Sequence, residues 1–236
     1  MIPIGFSTGA LAYSDFRHGL SLTREAGCSV VELSALRQAE LSPLLDSLDS
    51  LDLTGFEYVS IHAPSQFEQA WEAHAWNRLL EQAWRGWPVV VHPDALCDFS
   101  LWRELGVLVC VENMDKRKPI GRSATELAFV FDRLPDASFC FDIGHSRQCD
   151  PTMTEAYRIL CQFGGKLRQV HVSEVNTRSK HDPLSYASIR AYQDVAHLIP
   201  ENVPVILETP VLPDQMEAEI AKVREALPLA RETVVV

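Results

Sequence analysis

Eight short apolar runs, spaced along nearly the whole chain, constrain its fold more than any other feature. They are rich in Val, Ile, Leu and Phe, and they lack the strict polar–apolar alternation of a half-exposed strand. Near-continuous apolar character is typical of strands that are buried on both faces of a parallel sheet. The runs lie at residues 3–6, 29–33, 58–61, 88–91, 107–111, 138–141, 169–172 and 203–207.

Amphipathic segments between the runs predict helices. Apolar residues recur at the 3.6-residue period of a helix in residues 39–51, 68–84, 125–134 and 215–227. Eight strand–helix units in 236 residues give about 30 residues each, the size of the repeating unit in a (β/α)8 TIM barrel. No Gly/Ser-rich linker divides the chain, so we predict one barrel domain over residues 1–236. A doubly wound open sheet is the structural alternative.

The amino-acid composition limits the possible binding partners and indicates the cellular compartment. The chain has 21 Lys and Arg against 32 Asp and Glu, and this net charge of −11 argues against a nucleic-acid partner. The N-terminus has no basic segment followed by a long apolar one, and no run approaches the ~18–20 apolar residues of a membrane helix. We therefore expect a cytoplasmic protein with reduced cysteines and no membrane span.

Histidines and carboxylates occur at the end of six successive runs. The carboxyl ends of barrel strands meet at one face, where the active sites of TIM barrels are built. Each of these residues alone is compatible with a structural role, but six in consecutive register indicate a metal site. They are His62, His92, Glu112, Asp142 followed by His145, His171 and Glu208.

The ligand types favour particular metals. Imidazoles and carboxylates together suit Zn²⁺, Mn²⁺ or Fe²⁺, and no thiolate occurs at these positions. The candidates are too many for one tetrahedral ion. Either two or more ions bind, or some histidines contact the substrate instead. We predict a divalent-metal cofactor, zinc or manganese, with one or two ions bound.

These residues resemble the xylose isomerase-like barrel superfamily, which joins sugar isomerases and epimerases with endonuclease IV. The resemblance extends from STG at residues 7–9 to LETP at residues 207–210. The epimerase branch implies a single metal held by Glu112, Asp142, His171 and Glu208, with His145 in contact with the substrate. The run HVSEVN at 171–176 is similar to HIGEAN of that branch, but Thr177 replaces the substrate-binding arginine, and Arg178 follows one position later.

The endonuclease IV branch implies a larger ligand set. His62 and His92 match its additional histidines, and Glu112 matches its bridging carboxylate. A further ion would need His145, His181 and an aspartate at position 179, where this chain has Ser179. The spacing of His181 and Leu184 and the LETP run favour this branch, so the sequence has features of both.

Three other groups of residues are candidates for a functional or structural role. The charged run at 115–119 is typical of a solvated surface, and its alternative is an anion clamp in which Lys116 and Arg117 bind a phosphorylated or carboxylated substrate. Glu32 ends the second run and is predicted to orient a metal ligand. The tryptophans at 71, 76, 84 and 87 predict packing between helix and barrel, or a subunit interface of a homo-oligomer.

Two enzymatic functions follow from this pattern. The favoured one is a metal-dependent isomerase or epimerase of a small sugar or sugar phosphate, in which Glu112 and Glu208 exchange a proton next to a metal-polarised carbonyl. The alternative is a metal-dependent phosphodiesterase of the endonuclease IV kind, an AP endonuclease. A non-catalytic metal-binding barrel is the third and least favoured interpretation.

Overall fold

The structure is a computed structural model that describes residues 2–228. The prediction of one domain over residues 1–236 therefore reaches beyond the described residues at both ends, and it stays a prediction. Among residues 2–228, no helix is both long enough and apolar enough to cross a membrane.

Eight parallel strands form a closed barrel. The barrel strands are β1 Ile4–Ser7, β2 Val30–Ser34, β3 Tyr58–His62, β4 Val89–Val91, β5 Val109–Glu112, β6 Ser138–Asp142, β7 Leu167–Val172 and β10 Val205–Leu207. Going around the barrel, the order is β1-β10-β7-β6-β5-β4-β3-β2, and β1 pairs with both β10 and β2. This closure confirms the predicted (β/α)8 TIM barrel and excludes the open sheet.

Two further short strands form an antiparallel pair outside the barrel. They are β8 Glu174–Val175 and β9 His181–Asp182, and they follow β7 directly. Because this hairpin leaves the carboxyl end of β7, it brings His181 to the face of the barrel where the predicted metal ligands lie.

Helices connect the strands and cover the outside of the barrel. Several begin with a capping side chain: the Ser123 hydroxyl accepts from the Glu126 N–H at 3.2 Å at the start of one of them. The helices are α1 Thr8–Ala12, α2 Phe16–Glu25, α3 Gln38–Ser47, α4 Glu72–Leu80, α5 Phe99–Trp102, α6 Ala124–Arg133, α7 Ile143–Cys149, α8 Thr154–Phe163, α9 Tyr186–Ala196 and α10 Met216–Ala226.

The predicted helix over residues 68–84 is shorter in the structure. Only Glu72–Leu80 is α-helical, and single 3-10 turns precede and follow it. The physical reason lies in Glu72, whose buried carboxylate accepts from the Cys97 N–H at 2.8 Å and from Trp102 Nε1 at 3.0 Å. This contact fixes the start of α4 against the segment before α5, and the apolar spacing of the sequence does not encode it.

The apolar core lies mainly between the barrel and its helices, where Phe139, Phe141 and Trp102 are fully buried. Inside the barrel, Val90, Cys110 and Cys140 form a separate small cluster. Both cysteines are buried free thiols, in agreement with the expectation of reduced core cysteines. Above this cluster the interior becomes polar, and that polar region is the floor of the candidate site.

Candidate metal centre

The residues predicted from the strand ends come together at the carboxyl face of the barrel. Each side chain is positioned by the strand that it ends or directly follows, because parallel strands of a barrel finish at the same edge. His62, Glu112, Asp142 and His171 lie within strands β3, β5, β6 and β7, whereas His92 and Glu208 directly follow β4 and β10.

Glu112 lies at the centre of the cluster, and its side chain is only 1% exposed. Its Oε2 is 3.2 Å from Nε2 of both His62 and His92. Its Oε1 is 3.3 Å from His145 Nδ1 and 3.5 Å from His171 Nδ1. The two carboxylate oxygens therefore face two different groups of imidazoles, an arrangement that suits a carboxylate bridging two ions.

Glu112 belongs to two groups of ligand atoms that lie close to one another. Glu112, Asp142, His171 and Glu208 each offer one atom, and these atoms all lie within 4.8 Å of one another. His62, His92 and Glu112 form another such group. The two groups share Glu112, so the geometry is compatible with one ion or with two neighbouring ions.

The short segment FDIGHS explains how Asp142 is held. Asp142 ends β6 and also caps α7, since its Oδ1 accepts from the His145 N–H at 2.6 Å. Gly144 permits the close approach of β7, because a Cβ at that position would lie 2.5 Å from the Ser173 carbonyl oxygen. Asp142 Oδ2 has no hydrogen-bond partner, although the side chain is fully buried.

Hydrogen bonds to the backbone orient two of the imidazoles. His62 Nδ1 lies 2.7 Å from the Ala63 carbonyl oxygen, so this nitrogen donates and leaves Nε2 directed at Glu112. His145 Nδ1 lies 2.9 Å from the Asn113 carbonyl oxygen. Backbone contacts of this kind fix the ring of a metal-binding histidine.

The carboxylates and imidazoles shift one another's pKa values. Burial raises the pKa of Asp142 to about 7, and the nearby Glu208 and Glu112 act in the same direction. Burial opposes the charged form of His145, but Asp142 and Glu112 outweigh it and raise its pKa to about 10. In the metal-free protein, a proton on His145 therefore offsets part of the charge of the clustered carboxylates.

The residues present fit a divalent cation. Among residues 2–228, three buried atoms of the predicted ligands have no hydrogen-bond partner: His92 Nδ1, Asp142 Oδ2 and His171 Nδ1. Buried polar atoms are ordinarily paired, and imidazole nitrogens and carboxylate oxygens are the usual ligands of Zn²⁺ and Mn²⁺. A cation among these atoms would satisfy lone pairs that the protein itself leaves unpaired.

His181 lies at the edge of the cluster. Its Nδ1 is 2.7 Å from the Ser173 hydroxyl and 3.7 Å from Glu208 Oε2, and its ring centroid is 5.6 Å from that of His145. Ser179, at the position where a further carboxylate ligand would stand, accepts from Gln148 Nε2 at 2.8 Å. Within residues 2–228, neither His145 nor His181 belongs to a group of three close ligand atoms.

The chain is similar to several solved structures at low sequence identity. No protein-family model and no curated protein matches the sequence. An L-ribulose 3-epimerase aligns with a TM-score of 0.57 at 14% identity, over 94% of this chain and 86% of that chain. The 3-keto-D-glucoside 4-epimerase YcjR from E. coli aligns with a TM-score of 0.59 at 12% identity, over 96% and 99%.

A third solved structure identifies the type of TIM barrel. It is a xylose isomerase-like TIM barrel protein from Mycobacterium smegmatis in complex with magnesium, with a TM-score of 0.58 at 14% identity over 96% of this chain and 98% of that chain. The present chain has the xylose isomerase-like TIM-barrel fold. This confirms the resemblance that the strand-end residues indicated.

The xylose isomerase-like barrel of this chain has a cavity of about 370 Å³ beside Glu208. The volume lies within the range of small-molecule sites, about 300–1,000 Å³. One wall is apolar, formed by Ala10, Tyr13 and Leu36, and the polar side includes Lys180 and His181. Glu208 and His181 are thus predicted ligands that also border the cavity.

The predicted basic residues lie around this face but are not gathered into one cluster. Arg117 is exposed and its Nε is 3.1 Å from Asp115 Oδ1. Lys116 is also exposed, on the same loop after β5. Arg178 is an exposed residue of the segment between β8 and β9.

The sequence did not predict three buried or half-buried residues that form hydrogen bonds next to the candidate ligands. Asn113 holds the backbone of Asp142, and Gln169 and Tyr58 contact the floor of the cluster. Asn113 has a signal in the sequence, since a polar residue directly after a strand-end ligand is well placed to bond the neighbouring strand. Gln169 also has one, because an amide within an apolar strand requires a buried partner.

Proposed function

We propose that the protein is a divalent-metal-dependent isomerase or epimerase of a small sugar or sugar phosphate. The observation that carries the proposal is the convergence of Glu112, Asp142, His171 and Glu208 within 4.8 Å, beside a cavity bordered by Glu208. Two structures of the same fold are described as sugar epimerases, which supports this chemistry.

In the proposed site, a divalent cation and the protein side chains have separate roles in the reaction. Glu112, Asp142, His171 and Glu208 would hold one ion, and His62 and His92 would hold a second ion together with Glu112. A divalent ion supplies Lewis-acid polarisation of a carbonyl when it is bound. The remaining steps are proton transfers and binding contacts made by side chains.

Glu208 is the proposed base. Although burial opposes its charge, His171 and His181 hold the pKa of Glu208 well below its usual range, so the side chain is ionised and able to accept a proton. Because Glu208 borders the cavity, it can reach a carbon next to a carbonyl. Glu112, whose side chain is 1% exposed, is the proposed second acid/base group.

Other residues are proposed to bind and orient the sugar. His145 is proposed to donate a hydrogen bond to a substrate oxygen. Lys116, Arg117 and Arg178 are proposed to attract a phosphate or carboxylate from the rim, together with Lys180 in the cavity wall. The apolar residues around Leu36 could pack against the face of a sugar ring that presents C–H groups.

Deuterium exchange tests this proposal. A panel of ketoses, aldoses and their phosphates, incubated in D₂O with metal-loaded protein, should yield an isomer or epimer that carries deuterium at the carbon next to the carbonyl. Glu208→Gln should lower both turnover and exchange by about 10²- to 10⁴-fold, as expected for loss of a general base. Glu201→Gln, at an exposed position, is the matched control and should change neither.

The alternative phosphodiesterase rests on one specific observation, the second ligand group of His62, His92 and Glu112. Two neighbouring ions can activate water and stabilise a leaving oxygen. The net charge of −11 and the neutral Ser179 argue against a DNA substrate. Metal-dependent cleavage of abasic DNA, with no isomerisation across the sugar panel, would replace our proposal with this one.

A further inference from the structure

A continuous chain of buried polar groups lies inside the barrel, beneath the ligand cluster. The Tyr58 hydroxyl donates to Gln169 Oε1 at 2.8 Å, and Gln169 Nε2 donates to Glu32 Oε2 at 2.7 Å. Glu32 Oε2 also lies 2.9 Å from His171 Nε2. Glu32, Gln169 and His171 are all 0% exposed. Since barrel interiors are ordinarily filled by branched aliphatic side chains, this polar chain requires an explanation.

We propose that Glu32 is a positioning residue that holds the proton of His171 on Nε2, so that the Nδ1 lone pair of His171 is directed at the metal ions. The inference rests on the proposed metal centre but not on the sugar chemistry. It assigns a function to a buried carboxylate that stands on β2, far in sequence from the ligand that it orients.

The partners of each ring nitrogen determine the tautomer. A neutral imidazole carries one N–H, and an ionised carboxylate can only accept a hydrogen bond. Nε2 lies 2.9 Å from Glu32 Oε2, and the Gln169 amide already donates to that oxygen, so we infer that the proton of His171 is on Nε2. Nδ1 has no hydrogen-bond partner and lies 3.5 Å from both Glu112 Oε1 and Glu208 Oε2. A carboxylate behind a metal-binding histidine is a recurrent way to fix its orientation and raise its basicity.

Gln169 makes the tautomer depend on Glu32. Its amide nitrogen lies 2.7 Å from His171 Nε2, close enough to donate to an unprotonated Nε2. The Tyr58 hydroxyl, which donates to Gln169 Oε1, keeps the amide in this orientation. Without the carboxylate of Glu32, the amide would favour a lone pair on Nε2. The proton of His171 would then move to Nδ1, and the ring would no longer be a ligand.

Three variants, probed with zinc alone, test this inference. Glu32→Met removes the acceptor at similar volume, and we expect zinc affinity to fall by about 10- to 100-fold, the usual effect of losing such a partner. Glu32→Gln keeps an oxygen acceptor, so it should retain the Nε2–H tautomer and recover part of the affinity. Ser60→Ala removes a hydroxyl that contacts Glu32 Oε2 at 3.3 Å but does not contact His171. This control should change zinc affinity by less than about threefold.

Long-range ¹H–¹⁵N spectra of histidine-labelled, zinc-saturated protein report the tautomer directly. We expect the proton of His171 on Nε2 in the wild type and in Glu32→Gln, and on Nδ1 in Glu32→Met. Circular dichroism establishes that each variant is folded, and Glu32→Gln alone suffices if Glu32→Met does not fold.

Each contrary result has a distinct meaning. Tight zinc binding by Glu32→Met with the proton still on Nε2 would overturn the inference, as would a loss of folding stability without any loss of zinc affinity. Zinc loss in Glu32→Gln with the tautomer unchanged would also overturn it, because Glu32 would then be a direct ligand. A wild type that binds zinc and isomerises no sugar would overturn only the proposed reaction.

Discussion

Asn113 and Asp142 are joined by two hydrogen bonds of 2.8 Å, one in each direction. The Asp142 N–H donates to Asn113 Oδ1, and Asn113 Nδ2 donates to the Asp142 carbonyl oxygen. Both residues are buried. The side chain that follows β5 therefore fixes the backbone of the ligand that ends β6, and the spacing between Glu112 and Asp142 follows from this contact.

Removing this contact should weaken both folding and metal binding. In Asn113→Ala the buried N–H and carbonyl of Asp142 lose their partners, which typically costs about 1–3 kcal/mol. Urea denaturation of the metal-free variant measures this loss, and zinc titration should show an affinity about tenfold lower or more. The control is Asn77→Ala, because Asn77 bonds only within its own helix, to the Ala73 carbonyl at 2.9 Å. Equal effects of the two substitutions would contradict the role of Asn113.

Gly144 should not tolerate a side chain. The methyl group of Gly144→Ala would lie 2.5 Å from the Ser173 carbonyl oxygen and 3.2 Å from Asp142 Oδ1, so α7 and β7 must move apart. Overpacking of this kind costs about 1–3 kcal/mol of unfolding free energy. Gly165→Ala is the matched control, since its added carbon would meet no atom within 4 Å. If both variants unfold at the same urea concentration, the close approach at Gly144 does not constrain the site.

The sequence predicted the barrel and the convergence of the candidate ligands because both leave local signals. Apolar runs mark buried strands, and a residue such as Glu112 or Asp142 at the end of a run must lie at the carboxyl face once the sheet closes. Closure itself has a weaker signal, which is why the open sheet remained as an alternative. The break in the predicted helix at 68–84 comes from the buried contacts of Glu72 with a later segment, and helical periodicity cannot show it.

The supporting contacts were harder to predict, because they join strands that are distant in sequence. Glu32 and His171 stand 139 positions apart and meet only inside the closed barrel. Their hydrogen bond depends on side-chain rotamers and on the register of several strand pairs. The sequence indicated that Glu32 orients some ligand, but not which histidine or which nitrogen.

The ligand group of His62, His92 and Glu112 predicts how many ions the protein binds. At saturation we expect two zinc ions per chain in the wild type, because His62 and His92 face Glu112 Oε2 while His171 lies near Oε1. His92→Ala should bind one ion, and His197→Ala, at an exposed histidine, should still bind two. Calorimetric titration and anomalous diffraction give the count. A single ion in the wild type, or an unchanged count in His92→Ala, would refute a shared Glu112.

The most direct test of the metal centre is to measure the metal content of protein purified without added metal, by inductively coupled plasma mass spectrometry. We predict at least one equivalent of a divalent metal per chain in the wild type, because the four close ligand atoms of Glu112, Asp142, His171 and Glu208 are of the types that bind such an ion. Asp142→Ala should lose most of that metal, whereas Asp136→Ala, at an exposed position, should retain it. Equal metal content in the wild type and in Asp142→Ala would contradict the account.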